Sequence, residues 1–161
     1  MSAPIPRRLP CAADADRLPG FLSVLQLMDS AFPSGRYTLS YGVETLAQSG
    51  RLSTPAAAET LVGLLRDFLQ LSVGPSDGVA LACAHRAVGP DGDLDLDLIV
   101  RADKRLTAVK LSREARVTSE RTGRALLRTA ASALNQAALP DYARRVQDGS
   151  TPGNHAVVIG V

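Results

Sequence analysis

The sequence predicts an all-α fold, and three observations support this class. Apolar residues recur at helical spacing in several segments, strand-like alternation is nearly absent, and Gly, Pro or Asp-rich breaks separate the helical segments. The composition, 45% apolar and 21% charged residues over 161 positions, is that of a globular domain rather than a disordered chain. We therefore expect a single multi-helix bundle.

The first 19 residues differ in character from the rest. They contain four prolines and charges of both signs, and they lack the apolar core of a signal peptide. We expect a disordered tail over residues 1–19 and a helical domain over residues 20–161. No apolar run approaches the length that spans a bilayer, and the two cysteines form no disulfide framework. These features predict a cytoplasmic protein that does not contact a membrane.

Two short helices are expected first, joined by a tight loop. One begins near Gly20 and carries apolar residues at helical spacing as far as Met28. The other extends from Tyr37 to Ser49, where Gly50 is a suitable C-terminal stop.

A longer helix is expected to begin at Thr54-Pro55. Thr54 can cap the free amides, and the missing N–H of Pro55 costs nothing at the first helical position. The helix should end at the break formed by Gly74-Pro75. A new helix should then begin at Ser76-Asp77 and close before Gly89-Pro90.

Three further helices are expected over residues 98–110, 112–135 and 141–147, and the second is the most informative. One arc of it carries mostly small residues: Leu111, Ala115, Ser119, Thr122, Gly123, Leu126 and Ala130. Glycine in mid-helix costs about 1 kcal/mol relative to alanine, so we expect another helix to approach the backbone closely at Gly123. The opposite arc carries Arg113, Arg121, Arg124 and Arg128, which are either simply solvated or face a partner.

No catalytic, cofactor-binding or metal-binding residue is assigned from the sequence. The alternating aspartates of residues 91–97 suggest a calcium loop, but Leu96 and Ala102 replace the required Gly and Glu. Cys83 and His85 point about 200° apart on a helix. No phosphate-binding glycine loop is present, and the net charge of +2 does not drive the chain onto nucleic acid. The aspartate-rich stretch is better read as a solvated loop that leads into a helix.

The segment from Phe32 to Glu44 carries more special residues than a helix entry needs. Pro33 and Gly35 are expected to form a turn, and Thr38 can cap the helix that follows. Ser40 and Gly42 leave little side chain on one side of that helix.

This segment resembles the signature of the UreF family of urease accessory proteins, P-x-G-x-[FY]-[ST]-x-S-x-G-[LV]-E. The matching positions are Pro33, Gly35, Tyr37, Thr38, Ser40, Gly42, Val43 and Glu44. Farther along, the family's E-x-R-x-x-S-x-x-x-G helix is matched by Glu114, Arg116, Ser119 and Gly123. Ser76-Asp77 and residues 155–160 resemble two more family segments.

The resemblance implies an all-α, non-enzymatic factor that acts as a homodimer in urease maturation. Such proteins bind the accessory protein UreD (also called UreH) and recruit the GTPase UreG to apo-urease. Nickel passes through this complex, and no cofactor is bound tightly. The partner- or dimer-interface candidates are Pro33, Gly35, Tyr37, Ser40, Tyr41, Gly42, Glu44, Glu114, Arg116, Ser119 and Gly123. A competing hypothesis is a small helical nucleic-acid-binding protein that uses the Arg113–Arg128 face.

The sequence ends in an apolar segment, residues 155–161, without a capping residue or polar tail. Because UreF-like proteins continue through more helices, the resemblance implies a domain that lacks the family's C-terminal helices. We therefore expect Val157, Val158 and Ile159 to be more exposed than their composition warrants.

Overall fold

The computed structural model describes residues 18–29, 32, 40–133 and 139–161. Within these residues the helices are α1 (Leu18–Met28), α2 (Val43–Gln48), α3 (Ala57–Asp67), the π-helix π1 (Phe68–Gly78), α4 (Val79–Arg86), α5 (Leu96–Val109), α6 (Arg113–Ala133), α7 (Leu139–Gln147) and α8 (His155–Gly160). No strand occurs in the described ranges, which contain a single isolated β-bridge between Val88 and Leu94. The all-α prediction is confirmed. The tail expected over residues 1–19 stays a prediction.

The chain divides into two compact units, residues 1–32 and 33–161. The first unit contains α1, an 11-residue helix with apolar side chains on several sides. Four of them, Phe21, Leu22, Val24 and Leu25, are each more than half exposed. All the other helices belong to the second unit.

In the second unit, α3, π1 and α4 follow one another without an interruption. The predicted break at Gly74-Pro75 is therefore wrong. Pro75 lies inside π1, whose turns are wider than those of an α-helix. A Cβ atom at Gly74 would lie 2.8 Å from the carbonyl oxygen of Leu69, so glycine is required at that position. The hydroxyl of Ser76 donates a hydrogen bond to the carbonyl of Ser72 at 2.6 Å and supports the turn around the proline.

The predicted cap at the start of this segment is also wrong. The helix begins at Ala57 with Ala56 as its N-cap, and no side chain caps it. Residue Thr54 instead contributes its backbone carbonyl, which accepts a hydrogen bond from the N–H of Ala57 at 2.9 Å. The periodic apolar pattern locates the helix correctly. A backbone hydrogen bond in the turn before it takes the place of the expected side-chain cap.

The aspartate-rich loop leads into α5, as the sequence indicates. Asp95 is the N-cap of α5, and its carboxylate accepts a hydrogen bond from the N–H of Leu98 at 2.9 Å. Asp91, Asp93 and Asp97 are exposed around it. A carboxylate near a helix N-terminus is stabilising, so this loop has a structural explanation that needs no metal ion.

Helix α8 packs against α4 on one side and α6 on another. Two glycines permit this close approach. A Cβ atom at Gly160 would lie 2.5 Å from the carbonyl oxygen of Leu81 in α4, and one at Gly123 would lie 2.6 Å from the backbone nitrogen of His155. The expectation that Gly123 permits close backbone approach is confirmed.

This packing overturns the expected exposure of the final apolar segment. Val157 is completely buried, Val158 is 8% exposed and Ile159 is half-buried. The sequence pattern could not show that α4 and α6 together enclose so short a helix. Residues 156–158 thus belong to the core, together with Ile99, Leu106 and Leu126.

The carboxylate of Asp103 is completely buried in α5 and accepts hydrogen bonds from two other parts of the chain, α7 and the loop of residues 151–154. One oxygen accepts from the hydroxyls of Thr151 (2.6 Å) and Tyr142 (3.3 Å) and from the N–H of Gly153 (2.6 Å). The other accepts from the backbone N–H and the side-chain amide of Asn154, both at 2.8 Å. A buried charge is tolerated when it is this fully hydrogen-bonded. The Asp103 carboxylate therefore ties the loop before α8 to α5 and α7.

Replacing Asp103 with alanine should lower the free energy of unfolding by about 3 kcal/mol or more, because several buried donors lose their acceptor. Urea denaturation followed by circular dichroism measures this loss. Asp97→Ala is the matched control. It removes an exposed carboxylate from the first turn of the same helix and should cost less than about 1 kcal/mol. Equal losses in the two variants would contradict the role of the Asp103 carboxylate.

Stability should also fall in alkaline solution because of Tyr142. Burial, followed by the charge and hydrogen bond of Asp103, raises the pKa of Tyr142 above its ordinary value of 10.0. Above that pH the unfolded chain releases a phenol proton that the folded chain keeps, so the free energy of unfolding decreases as pH rises. In Tyr142→Phe this part of the decrease should disappear. Urea titrations between about pH 8 and pH 11 measure the difference, and parallel curves for the two proteins would refute it.

Candidate interaction surfaces

The described end of the signature segment forms a tight turn at the start of α2. Gly42, its N-cap residue, has φ +91°, a backbone conformation that glycine adopts without strain. Tyr41 has φ +50°, which is uncommon for a bulky residue. The N–H of Val43 donates to the carbonyl of Ser40 at 3.0 Å and closes the turn. Glu44 is exposed in the first turn of α2. Pro33, Gly35 and Tyr37 lie outside the described residues.

This turn presents the ring of Tyr41 to π1. The ring is packed against Phe68 with a centroid distance of 5.5 Å and an interplanar angle of 45°. Tyr41 is nevertheless 64% exposed, so most of its surface remains available. Aromatic pairs in tilted arrangements contribute about 0.5–1.5 kcal/mol beyond area burial, so the contact with Phe68 favours this position of the ring.

Tyr41 borders an open cavity of about 510 Å³ between π1 and the junction of α5 with α6. We call it the corner groove. Its lining consists of Tyr41, Phe68, Leu71, Ser72, Pro75, Ser76, Val109, Lys110, Leu111, Ser112 and Ala115. Leu71 is 77% exposed and Leu111 is 98% exposed. Large apolar side chains in this position favour a surface that binds another apolar group.

An ion pair holds the two walls of the corner groove together. The Nζ atom of Lys110 lies 2.7 and 2.9 Å from the two carboxylate oxygens of Asp77 in π1. Both side chains are largely shielded from water, at 12% and 24% exposure. The Ser76 hydroxyl, whose single proton is shared with the carbonyl of Ser72, lies 3.0 Å from the same carboxylate. The pair bridges elements that are 33 residues apart in sequence and fixes the width of the groove.

Arg116 stabilises the same junction from α6. Its guanidinium donates to the carbonyls of Lys110 (2.5 Å) and Leu111 (3.1 Å), just beyond the end of α5. The Ser112 hydroxyl accepts a hydrogen bond from the N–H of Ala115 at 3.0 Å and supports the first turn of α6. Carbonyls at the end of a helix lack a hydrogen-bond partner within the helix, and the Arg116 guanidinium satisfies those of Lys110 and Leu111.

The candidate residues from the sequence therefore separate into three places. Tyr41 lines the corner groove, and Arg116 supports its junction. Ser119 and Gly123 are buried on the arc of α6 that lies opposite its exposed arginines, where residues 153–155 pack against the helix. Glu114 is exposed in the first turn of α6.

Several groove residues were not recognised from the sequence. Leu111 was placed on the buried arc of α6, which is wrong because α6 begins only at Arg113 and helical periodicity does not apply before it. The helical pattern of this segment assigns no role to Leu71. No local sequence pattern identifies the groove, because the ion pair that joins its walls links Asp77 and Lys110, which are 33 residues apart.

The predicted arginine arc of α6 is confirmed as an exposed surface. Arg113, Arg121, Arg124 and Arg128 are all exposed. Arg124 lies 3.4 Å from the Glu120 carboxylate, and its Nε donates to the carbonyl of Pro152 at 3.0 Å. The remaining three form no salt bridge with any described residue.

The described ranges contain no group of three or more His, Cys, Asp or Glu side chains that could hold a metal ion. Nor does any helix in those ranges combine the length and apolar character needed to cross a membrane. The described part of the chain is all-α, and its exposed side chains form two candidate contact surfaces, the corner groove and the arginine face of α6.

Comparison with known proteins agrees with this class and gives the family. The UreF family profile matches residues 56–161, and the chain belongs to the UreF family. It is similar to urease accessory protein UreF 2 of Brucella canis, with 35% identity over 147 residues that cover 89% of this chain and 56% of that protein. It is similar to UreF of Yersinia pseudotuberculosis, with 31% identity over 140 residues that cover 87% of this chain and 58% of that protein.

The chain thus spans somewhat more than half the length of these curated relatives. Urease accessory protein UreF 1 of Brucella melitensis is 34% identical over 147 residues, with 89% of this chain and 57% of the relative covered. No solved structure matches the chain significantly.

Arg116→Ala should lower the free energy of unfolding by about 2 kcal/mol, because two hydrogen bonds from a charged donor are lost at the junction of α5 and α6. Thermal melting followed by circular dichroism measures the change. Arg113→Ala removes an exposed arginine without a described hydrogen bond from the same turn and should leave the melting temperature almost unchanged. A melting temperature for Arg116→Ala equal to that of Arg113→Ala would be the contrary result.

Proposed function

We propose that this chain is a non-catalytic scaffold in urease maturation. With UreD/UreH it recruits the GTPase UreG to apo-urease for nickel insertion. The observation that supports this most directly is the family match over residues 56–161, which includes π1 and the junction of α5 with α6. The matched relatives in Brucella and Yersinia bear the name urease accessory protein. Nickel is the cargo of the complex in this proposal, and assembly takes place in the cytoplasm.

The corner groove is the surface that we assign to a partner protein. Leu71 and Leu111 project from its two walls and are mostly exposed. Complete burial of one leucine side chain contributes about 1.5–3 kcal/mol. An apolar partner segment that covers both leucines would therefore gain a large part of the binding free energy that micromolar affinity requires. Tyr41 at the rim is of the residue type that contributes most often to binding hot spots.

The groove is also rigid enough to bind with little ordering cost. The Lys110–Asp77 ion pair joins its walls, and Arg116 fixes the corner that carries Leu111. A surface already held in its binding shape loses less conformational entropy on association. This suits a scaffold, which must present the same surface to successive partners.

We assign the signature segment a contact role as well. Tyr41 and Glu44 are exposed beside one another in the chain, and the preceding signature residues lead directly into them. In the proposal this segment contacts either a partner protein or the second copy of a homodimer. The signature residues concerned are Pro33, Gly35, Tyr37, Ser40, Tyr41, Gly42 and Glu44.

The test begins with the urease operon expressed with and without this chain. Without it, urease should be made but should contain little nickel, as measured by metal analysis of the purified enzyme. Wild-type chain supplied from a second plasmid should restore the nickel content. Nickel-replete urease in its absence would refute the proposed function.

The same system tests the groove. Leu71→Glu combined with Leu111→Glu should reduce capture of UreD/UreH and UreG by about tenfold or more, since two charges would have to be buried against an apolar partner. Leu69→Glu is the matched control: Leu69 is a 57% exposed leucine of π1 that does not line the groove. Circular dichroism should show the same helix content in all three proteins. Full capture by the double variant would remove the groove from the contact.

A further inference from the structure

The outward side of α6 carries a row of cations, which we call the arginine stripe: Arg113, Arg121, Arg124 and Arg128. At 100° per residue they fall within an arc of about 80°. The opposite side is buried, with Ser119, Thr122 and Leu126 in the core. Because that side is held against α8 and the loop before it, the stripe cannot turn into the core of the same chain.

Most of the stripe has no counter-charge within the chain. Arg124 pairs with Glu120 at 3.4 Å and is further held by the carbonyl of Pro152. Arg113, Arg121 and Arg128 have no salt bridge to any residue that the structure describes. Like charges along one helix face repel one another slightly, so an external row of anions would be stabilising.

The spacing of the free arginines indicates what kind of anion fits. With a rise of 1.5 Å per residue, Arg113 and Arg121 lie about 12 Å apart along the axis, and Arg121 and Arg128 about 10 Å apart. Val117 lies within the same arc and is 54% exposed. An apolar residue surrounded by charged ones has the layout of a small protein interface. Guanidinium groups pair with carboxylates through two parallel hydrogen bonds.

We propose that the arginine stripe docks an acidic protein surface. That surface would carry carboxylates about 10–12 Å apart around an apolar side chain that covers Val117. The inference rests on the proposed function, which supplies partner proteins but assigns none of them to this face. A nucleic acid fits less well, because the chain carries a net charge of only +2. In addition, Glu120 lies beside the stripe, and Val117 has no favourable contact with phosphates.

The experiment measures binding of the 161-residue chain to an immobilised complex of apo-urease, UreD/UreH and UreG at low and at about 0.15 M ionic strength. Arg121→Glu combined with Arg128→Glu should weaken binding about tenfold or more, and the remaining binding should depend less on salt. Arg101→Glu combined with Arg105→Glu is the matched control. It makes the same change in charge on two exposed arginines of α5 that form no salt bridge within the described residues, and it should bind like the wild type.

The outcomes separate this inference from the proposed function. Failure of the wild-type chain to bind the complex overturns both. Wild-type binding that the stripe variant retains in full overturns only the role of the stripe, and so does an equal loss in the control variant. A short DNA duplex serves as the competing probe. If the wild-type chain binds it more tightly than the protein complex, and stripe reversal abolishes that binding, the stripe belongs to nucleic acid and the inference is wrong.

Discussion

The buried carboxylate of Asp103 is the interaction on which the rest of the second unit depends. It holds the loop of residues 151–154 against α5 and α7, and that loop positions α8. Once α8 is in place, α4 and α6 can pack on it through the close contacts at Gly160 and Gly123. A single ionised group thus organises a core whose apolar residues alone are small and mostly aliphatic. Hydrogen bonds to a buried charge are directional, so they specify this arrangement more narrowly than apolar contact does.

The two contact surfaces follow from the same arrangement. Fixing the inner arc of α6 against residues 153–155 determines that the arginine stripe faces outward. The first turn of α6 begins at the junction with α5, where Lys110 lines the corner groove and Arg116 holds the carbonyl of Lys110. The core and the surfaces therefore cannot vary independently. Substitutions that move α6 by a fraction of a turn would alter both surfaces together.

Periodicity was sufficient for the fold class, for most of the helices, and for the close approach at Gly123. It fails where the chain departs from an α-helix. At Gly74-Pro75 the sequence predicts the end of a helix, but the helix continues as π1. It also failed at Leu111, which lies in a corner between helices, and at Val157, whose burial depends on distant helices. The Asp103 cluster was not foreseen, because its partners lie 39 to 51 residues away and share no local pattern. The signature motif located Tyr41, but the groove it borders arises only from tertiary packing.

The π-helix limits which insertions and deletions this protein can accept. Residues 68–78 connect the exposed helix α3 to α4, which is anchored in the core by Ala80 and Ala84. Each residue added to or removed from a helix rotates everything beyond it by roughly 100°. One insertion or deletion within π1 would therefore swing the outer face of α3 away from its present direction and pull Leu71 out of the groove wall. Side chains at exposed positions of π1 other than Leu71, Gly74 and Pro75 can therefore change more readily than its length, which is set by the phase between the two helices it joins.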